Sequence, residues 1–220
     1  MYIKNQTFLV VGASKSGIAV IKYLIEEGGV CKVLEELKTP KAKTAIDKLT
    51  EMGVDVLTTE QAEEYLKKVD VVILSPGVPI NHELAIKAKG LNKRIIGELE
   101  FAYLVNLPPI IAVTGTNGKT TTVTLLDYVF ECAGIDKQLV GNVGVPMTAK
   151  VKDGDRNTVF ITEVSSFQLE SVSSFNPHIS CVLNVAPDHL ERHYTMENYI
   201  YLKKRIFKNQ RESEYTVLNF

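Results

Sequence analysis

The most specific chemistry in the sequence lies at Thr114-Gly115-Thr116-Asn117-Gly118-Lys119-Thr120-Thr121, between the apolar run Ile110–Val113 and a helical stretch. Backbone N–H groups in such a turn, and at the helix start, can point at phosphate oxygens. Gly115 and Gly118 permit backbone shapes and close approaches that a side chain would block. Lys119 is a compact positive charge for β- and γ-phosphates, and the Thr120 hydroxyl can reach a magnesium ion. Thr120, Thr121, Thr122 and Thr124 are mediocre helix formers, so packing them together makes sense if hydroxyls are needed there. The match to the standard pattern G-x-x-x-x-G-K-[ST] is imperfect, because its first glycine position holds Val113. What stands is a shorter turn, and a glycine turn with a surface lysine is the bland alternative.

A second glycine turn, Val11-Gly12-Ala13-Ser14-Lys15-Ser16-Gly17, has Ser14 where a dinucleotide fingerprint has its middle glycine. Glu35 and Glu36 end the following strand, where an acidic residue often meets a ribose hydroxyl. The rigid turn Ser75-Pro76-Gly77 ends another strand at the same carboxyl edge, the edge where ligands bind in such sheets. The turn alone fits equally a nucleotide-type ligand or a sheet with a tight turn.

Glu163 ends the run Phe160–Thr162 and is followed by hydroxyls at Ser165 and Ser166. An acidic residue at the end of a strand beside a phosphate turn is placed to hold magnesium; the alternative is a carboxylate capping the helix that starts near Ser165. Asp188, His189, Glu191, Arg192 and His193 cluster after the apolar run Val182–Val185, as ligands or polar contacts. His82 has no such company and reads as a surface residue.

These residues need strands to carry them. Short apolar runs at Thr7–Val11, Val30–Leu34, Val54–Leu57, Val69–Leu74 and Arg94–Ile96 read as strands, with helices at Ser16–Glu27, Ala42–Met52, Glu60–Lys68 and His82–Lys89 between them. After Gly97–Asn106 and a stiff Leu107-Pro108-Pro109 connector, strands are expected at Ile110–Thr114, Thr158–Glu163, Ile179–Val185 and Thr216–Phe220. Helices are expected at Gly118–Cys132 and Thr195–Asn209. Strand–helix alternation with short links implies α/β architecture with mostly parallel sheets covered on both faces. The expectation is a Rossmann-like parallel-sheet domain over 1–95 and a P-loop ATPase α/β domain over 96–220, incomplete at its end. The closing strand-like run has no crossover after it, so the chain reads as the front part of a longer protein.

Composition narrows the classes further. The chain has 220 residues, 45% hydrophobic and 23% charged, with 25 basic and 26 acidic residues and net charge −1. That is ordinary for a globular chain and builds no broad footprint for nucleic acid or an anionic membrane. No apolar run approaches the ~20 residues of a membrane helix, and no signal core opens the chain. Cys31, Cys132 and Cys181 are far apart and odd in number, reading as reduced cytoplasmic thiols, each a small buried hydrophobe.

Taken together in order, V-T-G-T-N-G-K-T-T, L-V-G-N-V-G, T-E-V-S-S-F-Q-L-E, N-V-A-P-D-H-L-E-R-H and S-P-G-V resemble the Mur ligases of peptidoglycan synthesis, over the whole chain. The Phe167-Gln168-Leu169 continuation favours the D-glutamate-adding member. The resemblance implies an ATP-dependent acid–D-amino-acid ligase: the terminal carboxylate of UDP-N-acetylmuramoyl-L-alanine attacks the γ-phosphate of ATP, and the amine of D-glutamate displaces phosphate from the acyl phosphate. It implies a domain for the UDP-sugar, a central ATPase and a C-terminal amino-acid domain absent here. A related folylpolyglutamate-synthase-like ligase, another Mur ligase, or a nucleotide-binding protein without ligase chemistry are the competing readings.

By the same resemblance, Gly115, Thr116, Asn117, Gly118, Lys119, Thr120 and Thr121 bind ATP. Thr120 and Glu163 serve the magnesium on the nucleotide, His189 a second magnesium, and Lys203 carries a carbamate that helps hold metal. Asn142 and Ser165 meet the acyl end of the substrate. Ser14, Lys15, Ser16, Gly17, Ser75, Pro76 and Gly77, with Glu35, form the UDP cradle. The family's Asp-Thr-Arg at the uracil is replaced here by Glu35-Glu36-Leu37, with no arginine to stack on the base. A cytoplasmic monomer is expected, with no nucleic-acid partner and no membrane insertion. The 220-residue form alone is expected to bind UDP weakly and to lack ligase activity.

Overall fold

The computed structural model describes residues 1–106 and 108–219. Leu107 of the expected connector and Phe220 of the last expected strand lie outside the described residues. The chain divides into two compact units, Met1–Phe101 and Ala102–Phe220.

In the first unit, strands β1 (Thr7–Val11), β2 (Val30–Leu34), β3 (Asp55–Leu57), β4 (Val71–Leu74) and β5 (Arg94–Gly97) alternate with helices α1 (Lys15–Glu26), α2 (Pro40–Glu51), α3 (Thr59–Tyr65) and α4 (Glu83–Gly90), before α5 (Glu98–Val105). The strands form one sheet in the order β3-β2-β1-β4-β5, and every pair in it is parallel. A fully parallel sheet must be covered on both faces, which is why Val71–Leu74 is a run of consecutive buried apolar residues. α1 turns Ala19, Val20, Ile21 and Leu24 onto the sheet at helical spacing and ends at Gly28, whose φ of +72° continues no helix. Leu9, Leu34, Val72, Leu74, Leu66 and Leu84 meet in the core. The order reverses at β1, whose neighbours are β2 and β4, so a crevice opens beyond the carboxyl end of β1.

The second unit repeats the plan with β6 (Ile110–Thr114), α6 (Lys119–Cys132), β7 (Lys137–Gly141), β8 (Val159–Glu163), α7 (Ser166–Leu169), β9 (Ile179–Val182), α8 (Leu190–His193), α9 (Met196–Lys204) and β10 (Tyr215–Leu218). Its sheet runs β10-β9-β6-β8-β7, again all parallel. The reversal falls at β6, the strand that feeds the Gly115–Thr121 turn.

Several expectations need correction. Lys137–Gly141 and Glu98–Val105 are regular elements that the sequence pattern does not announce. The helix expected over Thr195–Asn209 ends at Lys204 and tightens to a short 3₁₀ turn at Arg205–Phe207, where Arg205 donates to the carbonyl oxygens of Glu170 and Val172. The cysteines are not three buried hydrophobes: Cys132, in the last turn of α6, is exposed, and Cys31 and Cys181 are half-buried. Burial holds the Cys31 thiol up at about 11, so it stays protonated and unreactive at neutral pH. No described helix is long and apolar enough to cross a membrane.

Candidate nucleotide and phosphoryl-transfer sites

In the first unit the Gly12–Gly17 turn is closed by its own neighbours. Glu35 Oε2 accepts from the Ala13 N–H at 2.6 Å, and its Oε1 from the Leu37 N–H at 2.8 Å. The buried Ser75 hydroxyl donates to the Gly12 carbonyl at 2.7 Å. Ser14 caps α1, its side chain accepting from the Gly17 N–H at 3.5 Å. Gly17 is required by packing: a Cβ there would sit 2.1 Å from the Gly12 carbonyl oxygen. The structure thus brings Ser14, Gly17, Glu35 and Ser75 together at one sheet edge, and beside them lies a cavity of about 330 Å³ that Gly77 also lines. Lys15 and Ser16 lie in the first turn of α1.

His82 is no bystander. It also lines the cavity, its Nε2 lies 2.7 Å from Glu36 Oε2, and its Nδ1 accepts from the Leu84 N–H at 3.2 Å to cap α4. With Nδ1 accepting, the proton sits on Nε2 and is donated to Glu36. The Thr59 hydroxyl donates to the other Glu36 oxygen at 3.2 Å. These partners come from elements 23 and 46 residues away in sequence, which is why the local pattern around His82 carries no sign of them.

In the second unit, β6 delivers Gly115–Gly118 to the start of α6. Gly118 is the N-cap, in the left-handed region at φ +82°, and no side chain caps the helix. The first backbone N–H groups of α6 are therefore open to an anion. Lys119 folds back over the turn, Nζ donating to the carbonyls of Gly115 and Thr116, both at 2.9 Å. Lys203, from α9, donates to the same Gly115 carbonyl at 2.8 Å and stands 4.5 Å over the Tyr199 ring. Its side chain is buried, with the whole residue 2% exposed. Burial, reinforced by the nearby Lys119 charge, holds the Lys203 ammonium down at about 8.

Glu163 ends β8 beside β6 and is buried, 1% exposed. The Thr120 hydroxyl donates to its Oε2 at 2.8 Å, and the Asn142 amide donates to its Oε1 at 2.7 Å. Glu163 does not cap α7; Ser165 does, in a reciprocal capping box with Gln168. His189 comes from the segment between β9 and α8. It is the αL residue (φ +53°) before α8, half-exposed, with Asp188 and Glu191 carboxylate oxygens 3.5 and 3.7 Å from its ring nitrogens. Among the described residues no three His, Cys, Asp or Glu side chains gather as a metal-binding group. His193 is buried, bonded through Nε2 to the Ser166 hydroxyl at 2.9 Å and stacked on Tyr199, and desolvation pushes its pKa down. Beside it, Arg192 grips Glu170 through two nitrogens at 2.9 and 2.6 Å.

Residues 113–220 match the Mur ligase middle domain, and residues 6–97 match the N-terminal domain of Mur ligases of the MurD-like kind. The chain belongs to the Mur ligase family. It is 42% identical over 220 residues to the UDP-N-acetylmuramoylalanine–D-glutamate ligase of Caldanaerobacter subterraneus subsp. tengcongensis, covering 100% of this chain and 49% of the relative. The enzyme of that name from Clostridioides difficile is 40% identical over 221 residues, with the same coverage. The chain therefore spans about half the length of these relatives. Among solved structures, the UDP-N-acetylmuramate:L-alanyl-gamma-D-glutamyl-meso-diaminopimelate ligase from Neisseria meningitides aligns with a TM-score of 0.59 at 19% identity, over 97% of this chain and 71% of that one. The UDP-N-acetylmuramate-alanine ligase MurC of Thermotoga maritima aligns with a TM-score of 0.55 at 19% identity, over 97% of this chain and 49% of that one. At such identity these structures speak to the fold alone, an α/β architecture of parallel sheets.

Proposed function

We propose that this chain provides the UDP-substrate-binding and ATP-binding parts of a ligase that joins D-glutamate to UDP-N-acetylmuramoyl-L-alanine at the expense of ATP. The observation that carries the reading is the convergence of Lys119 and Lys203 on one carbonyl beside an uncapped helix start. Two ammonium groups held that close repel each other; loss of the Lys203 proton and its conversion to a carbamate relieve it on that side, and an anion beside Lys119 relieves it on the other. A triphosphate is the anion that the turn, the lysines and the open N–H groups of α6 fit together.

The reaction is a carboxylate attacking a phosphoryl group, anion upon anion, so neutralising charge is the main task. The substrate carboxylate oxygen forms a bond to the γ-phosphorus as the bond to ADP breaks. The amine of D-glutamate then attacks the acyl carbon, loses a proton and expels phosphate. Lys119 holds the β- and γ-phosphate oxygens. Thr120 and Glu163 fit a magnesium on the nucleotide: a buried carboxylate whose hydrogen-bond donors are neutral, next to a hydroxyl, matches an ion that takes one or two carboxylates and completes its shell with phosphates and water. His189 and a carbamate on Lys203 are the donors we assign to a second magnesium. The depressed Lys203 pKa supplies the neutral amine that carbamate formation requires. When bound, these ions spread and offset the negative charge at the transferring phosphoryl group. Asn142 and Ser165 are the residues we assign to orienting the acyl end of the substrate.

In the first unit, Ser14–Gly17 with Glu35, Ser75, Pro76 and Gly77 cradle the UDP portion, and the adjoining cavity receives it.

The test is amino-acid-dependent phosphate release from ATP and UDP-N-acetylmuramoyl-L-alanine, run over a panel of amino acids with this chain in a polypeptide of the relatives' length. D-glutamate should stimulate release far above the rest. Equal stimulation by other amino acids, or release without amide formation, would contradict the proposal. Rescue of Lys203→Ala by acetate or formate checks the carbamate, and full activity of that variant without either acid would refute it.

A further inference from the structure

Asn184 follows β9 and is exposed, yet both ends of its carboxamide are engaged. Oδ1 accepts from the backbone N–H of Thr116 at 3.1 Å and of Asn117 at 2.9 Å, and Nδ2 donates to the Asn117 carbonyl at 3.0 Å. The main chain reinforces this. Leu183 N–H donates to the Thr114 carbonyl at 2.9 Å and Thr116 N–H to the Asn184 carbonyl at 3.1 Å, so the β6–β9 ladder continues past both strands. The Thr116 hydroxyl accepts from the Ala186 N–H at 3.0 Å and donates to the Ala186 carbonyl at 3.1 Å. That leaves the Tyr199 hydroxyl, 3.2 Å away, to donate to Thr116.

A phosphate turn of standard length wraps successive N–H groups around its anion. This turn is shorter, and its first half lies along the segment after β9 instead. The N–H groups of Thr116 and Asn117 are occupied, whereas no side chain caps the start of α6. We propose that Asn184 is the positioning residue of the phosphate turn: it withdraws the Thr116 and Asn117 N–H groups from the ligand and fixes the entry into α6, so that phosphate is gripped by the N–H groups of Gly118–Thr121 and by Lys119. The proposal rests on the reading of this turn as the ATP site.

The test uses the ¹⁵N-labelled 220-residue chain, titrated with ATP and magnesium, together with Asn184→Ala and Asn184→Asp. In the parent, ATP should shift the Gly118–Thr121 amide signals more than those of Thr116 and Asn117. Asn184→Ala removes both acceptor and donor, so hydrogen exchange at Asn117 should quicken at least ~10-fold, less at Thr116, whose N–H keeps the Asn184 main-chain carbonyl, and ATP affinity should fall by about 10-fold. The exposed position should leave the melting temperature nearly unchanged. Asn184→Asp keeps the acceptor but loses the donor and adds a negative charge. Exchange at the two amides should stay slow while ATP affinity falls by roughly 100-fold, an order of effects that a merely structural tie does not produce. Should the alanine variant fail to fold, the aspartate variant and the parent's shift pattern decide. Unchanged exchange in Asn184→Ala, quicker exchange with unchanged ATP affinity, or tighter ATP binding would overturn the proposal. A parent chain whose amides do not respond to ATP anywhere would instead sink the ATP reading, and the exchange rates would still report on Asn184.

Discussion

The two strand–turn–helix junctions, Gly12–Gly17 in the first unit and Gly115–Thr121 in the second, start from the same plan and end with opposite electrostatics. In the first, the turn's polar groups are met from within: Glu35 on Ala13, Ser75 on Gly12, Ser14 on Gly17. In the second, the helix opens on an uncapped left-handed glycine, and two lysines crowd one carbonyl above it. The first junction brings an anionic side chain of its own. The second accumulates positive charge and leaves N–H groups open. A turn whose N–H groups are met by its own carboxylate suits hydroxyl and base contacts at its edge; one whose helix-start N–H groups stay open suits a triphosphate. The same fold element, repeated, differs in whether its helix start is capped and in whether a carboxylate meets the N–H groups of its turn.

Packing gives the largest expected break in this comparison. Gly17→Ala places a Cβ 2.1 Å from the Gly12 carbonyl oxygen, so backbone must move. We expect a loss of about 3 kcal/mol of first-unit stability by denaturant unfolding, with the second unit's ATP response intact. Gly118→Ala differs: its Cβ would lie 3.5 Å from Leu183, in ordinary contact, and only the φ of +82° resists it. A cost near ~1 kcal/mol is expected there.

Lys119→Ala should weaken ATP binding by roughly 10- to 100-fold, the value of a charge-assisted contact to phosphate, while UDP binding to the first unit stays unchanged. Isothermal titration of both ligands measures the two numbers on one sample.

With its amine free of carbamate, Lys203 provides a pH test. Its folded pKa of about 8 lies below the ordinary 10.5, so the folded state binds fewer protons than the unfolded one between those values. Stability should therefore rise as pH climbs from about 8 toward 10.5, and the penalty of the buried ammonium is felt in full below 8. Lys203→Met should flatten this rise and add about 1–2 kcal/mol at neutral pH, read from urea midpoints across the range. The smallest effect is expected for Ser14→Ala, whose capping contact is long at 3.5 Å, with a loss of about 0.5 kcal/mol.

Much of the fold is legible in the sequence itself. Strands such as Val71–Leu74 announce themselves because burial on both faces demands an unbroken apolar run, and the glycine turns stand out against them. Lys137–Gly141 escapes notice because it is an edge strand whose first three residues are only half-buried, so its pattern is mixed. Glu98–Val105 escapes because its apolar residues, among them Leu99, Phe101 and Ala102, follow no single stripe. In the sites, the positions of Lys119, Thr120 and Glu163 at a helix start and a strand end are readable from their own segments. Asn184, His82 and the burial of Lys203 are not. Each depends on contacts made 23 or more residues away, and Lys203 differs from its exposed neighbour Lys204 only in which way the helix turns.

The claim at the centre is that the two junctions divide two nucleotides between them. Amide chemical shifts of the labelled chain, followed during separate titrations with UDP and with ATP plus magnesium, test it directly. The account predicts that UDP moves Ala13–Gly17 and Glu35–Leu37 while ATP moves Gly118–Thr121, with little cross-response. Both nucleotides perturbing the same junction, or ATP perturbing Ala13–Gly17 alone, would contradict it.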